Sequence, residues 1–129
     1  MKSSPKKTAI ELAKKVAKER DGYVCQKCGK SRDGGWTMHG SHIMPVSWSG
    51  TAADPENIIC LCATCHSMGK TSAHDDPVNF GRWFDAKYPG LYDRMHKKAI
   101  EYSANPYPKI DWIEVIDKLK DQLKQSKLL

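Results

Sequence analysis

The stretch NIICLCATCH at residues 57–66, together with YVCQKCG at residues 23–29, determines the architecture of this chain. Each stretch contains one pair of cysteines separated by two residues, so a tight backbone turn can bring both sulfurs of the pair to one ion. The four cysteines are Cys25, Cys28, Cys62 and Cys65. Because zinc prefers four thiolate or imidazole ligands in a tetrahedron, the two pairs predict a closed, structural Zn²⁺ site. Such a site contributes on the order of 10 kcal/mol to folding.

The fifth cysteine, Cys60, lies two residues before Cys62 and would share its face on a strand. We interpret Cys60 as a small buried side chain, with ligation in place of Cys62 as the less favoured alternative. A thioredoxin-like redox site fits poorly, because there are two pairs and no βαβ pattern. The odd number of cysteines and the lack of an export signal favour metal ligation over disulfides.

Length and composition indicate one small domain with a modest core. The chain has 129 residues, of which 40% are hydrophobic and 28% charged, and this excludes a membrane protein. The net charge of +6 favours a polyanionic partner, nucleic acid first. Residues 1–35 hold ten Lys and Arg against four Asp and Glu, whereas residues 36–76 hold one against four. No apolar run follows the basic start, so we expect a cytoplasmic protein.

Periodicity and capping residues predict helices on both sides of the cysteine region. Ser4-Pro5 opens the first helix, and Asp76-Pro77 supplies an N-cap with proline at the first helical position of another. The predicted helices cover residues 5–21, 77–88, 91–102 and 111–128, and the predicted short strands cover residues 36–43 and 57–61. We expect a loop over residues 44–56 and one or two helical turns over residues 63–70.

Four histidines lie between and just after the cysteine pairs: His39, His42, His66 and His74. Zinc bound at the cysteines would fix the backbone beside His66, which directly follows Cys65. Taken singly, each histidine is more often a core or surface residue than a ligand. Together, they predict a second metal site that is open to water. His96 has no metal-type neighbours, and we interpret it as a surface residue.

The order of these parts resembles the HNH endonuclease family over roughly residues 20–76. The matching stretches are Cys25–Cys28, Ser41-His42-Ile43-Met44-Pro45, Asn57–His66 and the later His74. The resemblance implies an α+β fold: a small ββα-metal, treble-clef-like core with a two-knuckle zinc site, flanked by N- and C-terminal helices. It divides the chain into a basic N-terminal helix at 1–22, the finger at 23–76 and a helical extension at 77–129, all within one compact domain. Small members of this kind are common in phages and prophages.

The resemblance also implies roles for individual residues. His42 matches the general base that activates water, and Asn57 matches the asparagine that braces the loop around the base. His66 and His74 match ligands of a catalytic divalent ion. Asp75 or Asp76 is an alternative to His74, although Asp76 is better explained as a helix N-cap.

One position departs from the family pattern. The residue before the base is usually Asp or His and binds the metal, but here it is Ser41. A serine hydroxyl is a poor ligand unless the ion is hard and already well held. His39 is the candidate substitute, which leaves both residues as alternatives for this ligand.

Phosphate contacts are expected from cations near the finger. Lys70 and Arg82 are the leading candidates, together with the N-terminal lysines. The four tryptophans could stack on bases, although a buried core position is the commoner fate of tryptophan. No base-reading helix stands out, so we expect low sequence specificity.

The resemblance implies a metal-dependent DNA endonuclease that acts on double-stranded or branched DNA in a bacterial cell and leaves 5′-phosphate and 3′-hydroxyl ends. The catalytic ion would be Mg²⁺, Mn²⁺ or Zn²⁺, beside the structural Zn²⁺. The alternative is a non-catalytic, zinc-stabilised DNA-binding or accessory protein of a phage DNA-processing complex. The amphipathic helix at residues 111–128 would pack back on the finger, pair with a second copy or dock a phage protein.

Overall fold

The computed structural model describes residues 4–127, with side chains described to residue 125. Within that part of the chain, five α-helices surround a two-stranded antiparallel sheet, so the predicted α+β fold is confirmed. In chain order the elements are α1 (Pro5–Arg20), β1 (Met38–His42), α2 (Ser49–Ala52), β2 (Ile58–Cys62), α3 (Pro77–Lys87), α4 (Leu91–Ala104) and α5 (Trp112–Lys127). Shorter turns of 3₁₀ helix (Arg32–Gly34, Pro55–Asn57) and π-helix (Thr64–Met68) connect them.

The small sheet lies between two layers of helix. Met38 of β1 is paired with Cys62 of β2, and His42 with Ile58. All five residues of β2 are buried. Ile58 packs with the alanines of α1, whereas Ile59 belongs to the cluster formed with α3 and α4. Helices therefore cover both faces of the sheet, and only the ends of its strands are available to form a functional site.

Helix α1 packs closely on the sheet because its contacting residues are small. Ser4 caps the helix by accepting a hydrogen bond from the backbone N–H of Lys7, at 3.2 Å. The buried face is a stripe of fully buried alanines, Ala9, Ala13 and Ala17. On the strand side, a Cβ at Gly40 would lie 2.8 Å from Cγ of Lys14, so glycine is needed for this approach.

The end of α1 is anchored to β2 by two charged residues. Arg20 donates hydrogen bonds to the backbone carbonyls of Pro55, at 2.8 Å, and Ile58, at 2.6 Å. Asp21 pairs with Arg20 and accepts a hydrogen bond from the backbone N–H of Cys60, at 2.9 Å. These contacts fix the helix, the strand and the turn before it as one unit.

The C-terminal helices complete the two cores. Asp76 caps α3, as predicted, by accepting from the backbone N–H of Asn79 at 3.3 Å. On α5, Ile116 and Leu119 pack against α1, so this helix packs back on the protein. Pairing with a second copy and docking of a phage protein stay predictions, as do the domain boundaries. Among residues 4–127 no helix is both long and apolar enough to cross a membrane.

Two connecting segments differ from the sequence expectation. The predicted loop over residues 44–56 contains α2, which packs so closely on α4 that a Cβ at Gly50 would lie 2.6 Å from Cβ of Tyr102. The predicted helical turns after β2 adopt a π-helix at Thr64–Met68. A helix of four residues is too short to show a periodic pattern in sequence, which is why α2 was missed. The helical turns after β2 were predicted, but their π-helical hydrogen bonding was not.

Candidate functional site

The four paired cysteines converge on one point. Their sulfur atoms all lie within 4.8 Å of one another, and Sγ of Cys28 is 3.6 Å from Sγ of Cys62. Zinc–sulfur bonds of about 2.3 Å in a tetrahedron place sulfurs about 3.8 Å apart. The donor set and its spacing therefore fit a structural zinc ion, and the predicted clustering of these four cysteines is confirmed.

Backbone hydrogen bonds hold the first cysteine pair in place. Gly29, with a φ of 82°, lets the chain turn so that its N–H donates to the carbonyl of Cys25 at 2.9 Å. The N–H of Gln26 donates to the carbonyl of Cys60 at 3.0 Å, which ties this turn to β2. The geometry of the cluster is thus built into the backbone.

The thiols of the cluster differ in acidity. Burial raises the pKa of Cys25, but the backbone N–H groups of Cys28, Cys62 and Lys27 more than offset it and bring this pKa down to about 7. Burial and the nearby charge of Cys25 raise the pKa of Cys65. A divalent cation is what allows all four thiols to ionise together.

Cys60 stands apart from this cluster. It is fully buried, as predicted, and it is not among the four converging sulfurs. Burial, together with the charge of Asp21, raises its pKa to about 11, so the thiol stays protonated at neutral pH.

The second cysteine pair positions two histidines. The N–H of Ala73 donates to the carbonyl of Cys65 at 2.9 Å, and the N–H of His74 donates to the carbonyl of His66 at 3.2 Å. These backbone contacts fold the segment after the π-helix back on itself. The two histidines, which are separated by seven residues in sequence, are thereby brought together, and their ring centroids lie 4.7 Å apart.

Three of the four predicted histidines are in contact. Nδ1 of His39 lies 2.9 Å from Nδ1 of His66, and Nε2 of His74 lies 3.1 Å from Nε2 of His66. His66 therefore sits in the middle of a chain and turns a different nitrogen to each neighbour. Burial, and then the charges of His74 and His39, lower the pKa of His66 to about 4. The ring is neutral at pH 7, which is the form that binds metal ions.

The fourth histidine, His42, is held separately at the end of β1. Its Nε2 lies 2.8 Å from the carbonyl oxygen of Ala52. Because a carbonyl only accepts, Nε2 carries the proton and Nδ1 keeps a free lone pair. Burial, and to a lesser degree the charge of Lys14, lower the pKa of His42, whereas the Ala52 carbonyl and Glu11 oppose the shift. The result is a neutral, oriented imidazole at neutral pH.

Asn57 braces the loop that orients His42. Its Oδ1 accepts from the N–H of Met44 at 2.8 Å, and its Nδ2 donates to the carbonyls of Met44 at 3.2 Å and Thr51 at 3.1 Å. The side chain is fully buried. Thr51 directly precedes Ala52, so the amide of Asn57 fixes the carbonyl that contacts His42.

His42 and His66 line one cleft. This cavity has a volume of about 490 Å³ and is also lined by Lys14, Ser41 and His74. Ser41 is only 5% exposed, and its backbone pairs with Ile59.

A second cavity adjoins this cleft at the end of β1. Its volume is also about 490 Å³, and it shares Ser41 and His42 with the first while adding Arg82 from α3. His42 thus stands at the boundary between two depressions. Lys70 is exposed and lines neither of these two cavities.

From the sequence, Lys14 is only one of several N-terminal lysines, and nothing there indicates a role for Glu11 or for the Ala52 carbonyl. Lys7, Glu11, Lys14 and Lys18 form a charged stripe on one face of α1. That periodicity was the available signal, but it does not tell which strand the stripe will meet.

The comparisons agree with the geometry. The family model of the HNH endonucleases matches residues 25–71, which include the four cysteines, His39, His42, Asn57 and His66. No curated protein and no solved structure matches the chain.

Proposed function

We propose that this protein, whose residues 25–71 match the HNH endonuclease family model, is a metal-dependent DNA endonuclease with His42 as its general base. The observation that carries the proposal is the shared cleft of His42 and His66. One imidazole there is oriented by a backbone carbonyl, and the other lies among further metal-type ligands.

In the proposed reaction, Nδ1 of His42 takes a proton from a water molecule that attacks the phosphorus of a phosphodiester. The base is ready at neutral pH because its pKa is lowered. Asn57 is a positioning residue, since it acts through the loop that holds the Nε2 side of the ring. As the new bond from oxygen to phosphorus forms, the bond from phosphorus to the 3′ oxygen breaks, and the leaving oxygen takes a proton from solvent water. The products therefore carry 5′-phosphate and 3′-hydroxyl ends.

The catalytic ion would be held by His66 together with His39 or His74. The donors fit such an ion, because each contact pair brings two imidazole nitrogens to about hydrogen-bond distance. His66 and His74 line the cleft, whereas His39 contacts His66 from outside the cleft lining. When bound, a divalent ion would neutralise charge on the phosphate and on the leaving oxygen. Nitrogen ligands favour Zn²⁺ or Mn²⁺ over Mg²⁺, which prefers oxygen. His39 would replace the ligand that Ser41 cannot supply well.

Two cations would guide the phosphate backbone to the site. Lys14 lines the cleft with His42 and His66, and Arg82 lines the adjoining cavity. Both positions suit phosphate contacts, which position DNA without reading its sequence. Lys70 would contact DNA only outside the two cavities.

The test is nicking of a supercoiled plasmid by the zinc-loaded protein with added Mg²⁺, Mn²⁺ or Zn²⁺. We expect cleavage by the wild type and a loss of about 10²- to 10⁴-fold in His42→Ala, because general base catalysis is removed. His96→Ala is the matched control, since that histidine is exposed on α4 and packs on Tyr92. The proposal would be contradicted if the wild-type protein binds DNA but does not cleave it with any of the three added ions.

Ser41 favours one second candidate, a non-catalytic zinc-stabilised DNA-binding module. In that case the usual Asp or His ligand would have been lost together with catalysis. This candidate expects His42→Ala to bind DNA as the wild type does, with no cleavage by either protein. The same plasmid experiment therefore separates the two functions.

A further inference from the structure

A second surface that combines cationic and aromatic side chains, as nucleic-acid-binding surfaces do, lies at the opposite end of β1 from His42. It surrounds a cavity of about 420 Å³ lined by residues that include Lys18, Tyr23, Arg32 and Trp36. Lys30 joins them through its contact with Trp36. We call these five residues the Trp36 platform.

Cations and aromatic rings alternate on the Trp36 platform. Arg32 lies with Cζ 3.8 Å from the ring centroid of Tyr23, and Lys30 lies with Nζ 4.0 Å from that of Trp36. Nζ of Lys18 is 6.0 Å from the Tyr23 centroid. The carboxylate of Asp33 is near Arg32, at 4.0 Å, but it is almost fully exposed and weakens the positive charge little.

The exposure of Trp36 is not explained by packing. Its surface is 46% exposed, whereas Trp48, Trp83 and Trp112 are half-buried against the two cores. A large aromatic ring held at the surface beside cations is what a binding platform needs, since it offers area at little cost in conformational entropy.

Helix α1 and strand β1 connect the cleft to the Trp36 platform. Lys14 lines the cleft and Lys18, one helical turn later, lines the platform cavity. The five residues from His42 back to Met38 span about 13 Å. A stacked strand rises about 3.4 Å per nucleotide, so about four nucleotides cover this distance.

We propose that the Trp36 platform binds unpaired bases of a DNA strand that continues from the cleft along α1 and β1. The proposal rests on the proposed nuclease function, and it names the substrate class: DNA in which duplex adjoins a single-stranded segment. Unpaired bases are required because only they present a free face for stacking on Trp36. Lys14 and Lys18 would meet the phosphates between the two sites.

The experiment measures binding without cleavage, in the His42→Ala background, by fluorescence anisotropy. The probes are one duplex with blunt ends and the same duplex with single-stranded extensions of increasing length. We expect affinity to rise as the extension reaches about four nucleotides. Trp36→Ala should remove this gain, with about five- to tenfold weaker binding of the long extension and unchanged binding of the blunt duplex.

Tyr107→Ala is the matched control, because Tyr107 is also a strongly exposed aromatic residue, at 69%, but lies in the linker before α5. Trp36→Phe should restore most of the gain. Zinc content and thermal melting of each variant show that the fold is kept, and Lys30→Gln gives a second, milder test of the same surface.

Equal affinity for blunt and extended duplexes would overturn the proposal, as would a Trp36→Ala variant that binds the extended duplex like its parent. Loss of binding to anionic lipid vesicles in Trp36→Ala, with DNA binding unchanged, would overturn it too and assign the surface to membranes. If the extension effect is present but the wild type never cleaves, the platform stands and the nuclease function fails.

Discussion

The sulfur cluster and the histidine cleft are joined by one peptide bond, between Cys65 and His66, yet they differ in donor type and in geometry. In the cluster, four sulfurs converge on one point; Cys25 and Cys62 are each only 1% exposed, and Cys28 lies at the surface. In the cleft, His74 is exposed, and the imidazoles form a chain that leaves room for water and substrate.

The difference shows how a small domain divides two uses of metal chemistry. A closed set of four thiolates satisfies zinc fully and so serves the fold. A set of two or three imidazoles leaves coordination positions for phosphate and water. Because Cys65 directly precedes His66, the sulfur cluster fixes the backbone that positions the histidines of the cleft.

The largest expected effect comes from breaking the cluster. Cys62→Ser removes a thiolate, and loss of zinc would cost on the order of 10 kcal/mol of folding energy, more than a domain of this size can spare. We expect no cooperative thermal transition and no bound zinc. Cys60→Ala is the control, since Cys60 is buried but outside the cluster, and it should keep its zinc with a loss of about 1 kcal/mol. A cooperative transition in zinc-free Cys62→Ser would show that the cluster does not carry the fold.

Asn57→Ala tests the link from the core to the cleft. It deletes three buried hydrogen bonds to Met44 and Thr51 and leaves backbone groups without partners. We expect a loss of about 2–4 kcal/mol in urea unfolding, and a further fall in cleavage under conditions where the variant is folded. Asn79→Ala, an exposed asparagine on α3, should change neither quantity. Full cleavage by folded Asn57→Ala would mean that the loop does not orient His42.

Ser41→Asp tests whether the cleft binds the catalytic ion. A carboxylate at this position adds an oxygen ligand, which should lower the half-saturating Mg²⁺ concentration in plasmid nicking by about tenfold. Some loss of thermal stability is expected, because Ser41 is only 5% exposed. His39→Ala should act in the opposite direction and weaken the response to Mn²⁺ by about tenfold. Unchanged metal dependence in both variants would place the ion elsewhere.

The smallest expected effect is on the pH profile. His42 acts in its neutral form and its pKa is lowered, so the cleavage rate should rise with pH through a midpoint below 6.5 and then stay level. Lys14→Gln removes a positive charge that lowers this pKa, so the midpoint should move up. Lys97→Gln, on the exposed side of α4, is the control and should leave the midpoint in place. Single-turnover rates between about pH 5 and 8 measure both shifts, and a midpoint above 6.5 in the wild type would argue against His42 as the base.

Much of this molecule could be predicted from the sequence because its signals are local. Ser4-Pro5 and Asp76-Pro77 mark helix starts within two residues, and each cysteine pair defines its own turn. His66 and His74 were grouped by their position beside the cysteine pairs and by resemblance, but no local pattern predicts their contact, which depends on backbone bonds made after the π-helix.

The rest depends on tertiary packing that no local pattern specifies. Lys14 and Lys18 lie on the same face of α1, and the sequence does not distinguish their roles. Because α1 packs on Gly40, Lys14 lines the cleft and Lys18 lines the cavity of the Trp36 platform. Likewise, the exposure of Trp36 could not be distinguished from the packing of the other tryptophans, because composition alone does not show which rings the cores accommodate.

The alanine stripe of α1 is a position at which protein engineering could change the cleft. Ala13 is fully buried in the cluster that contains Ile58, the β2 residue paired with His42, so the size of its side chain sets how far the helix stands from the sheet. Substituting larger residues in this stripe would change the width of the cleft without replacing any of the residues that line it. Substrate access could thus be tuned from within the core, by steric adjustment of a spacing rather than by redesign of the reacting groups.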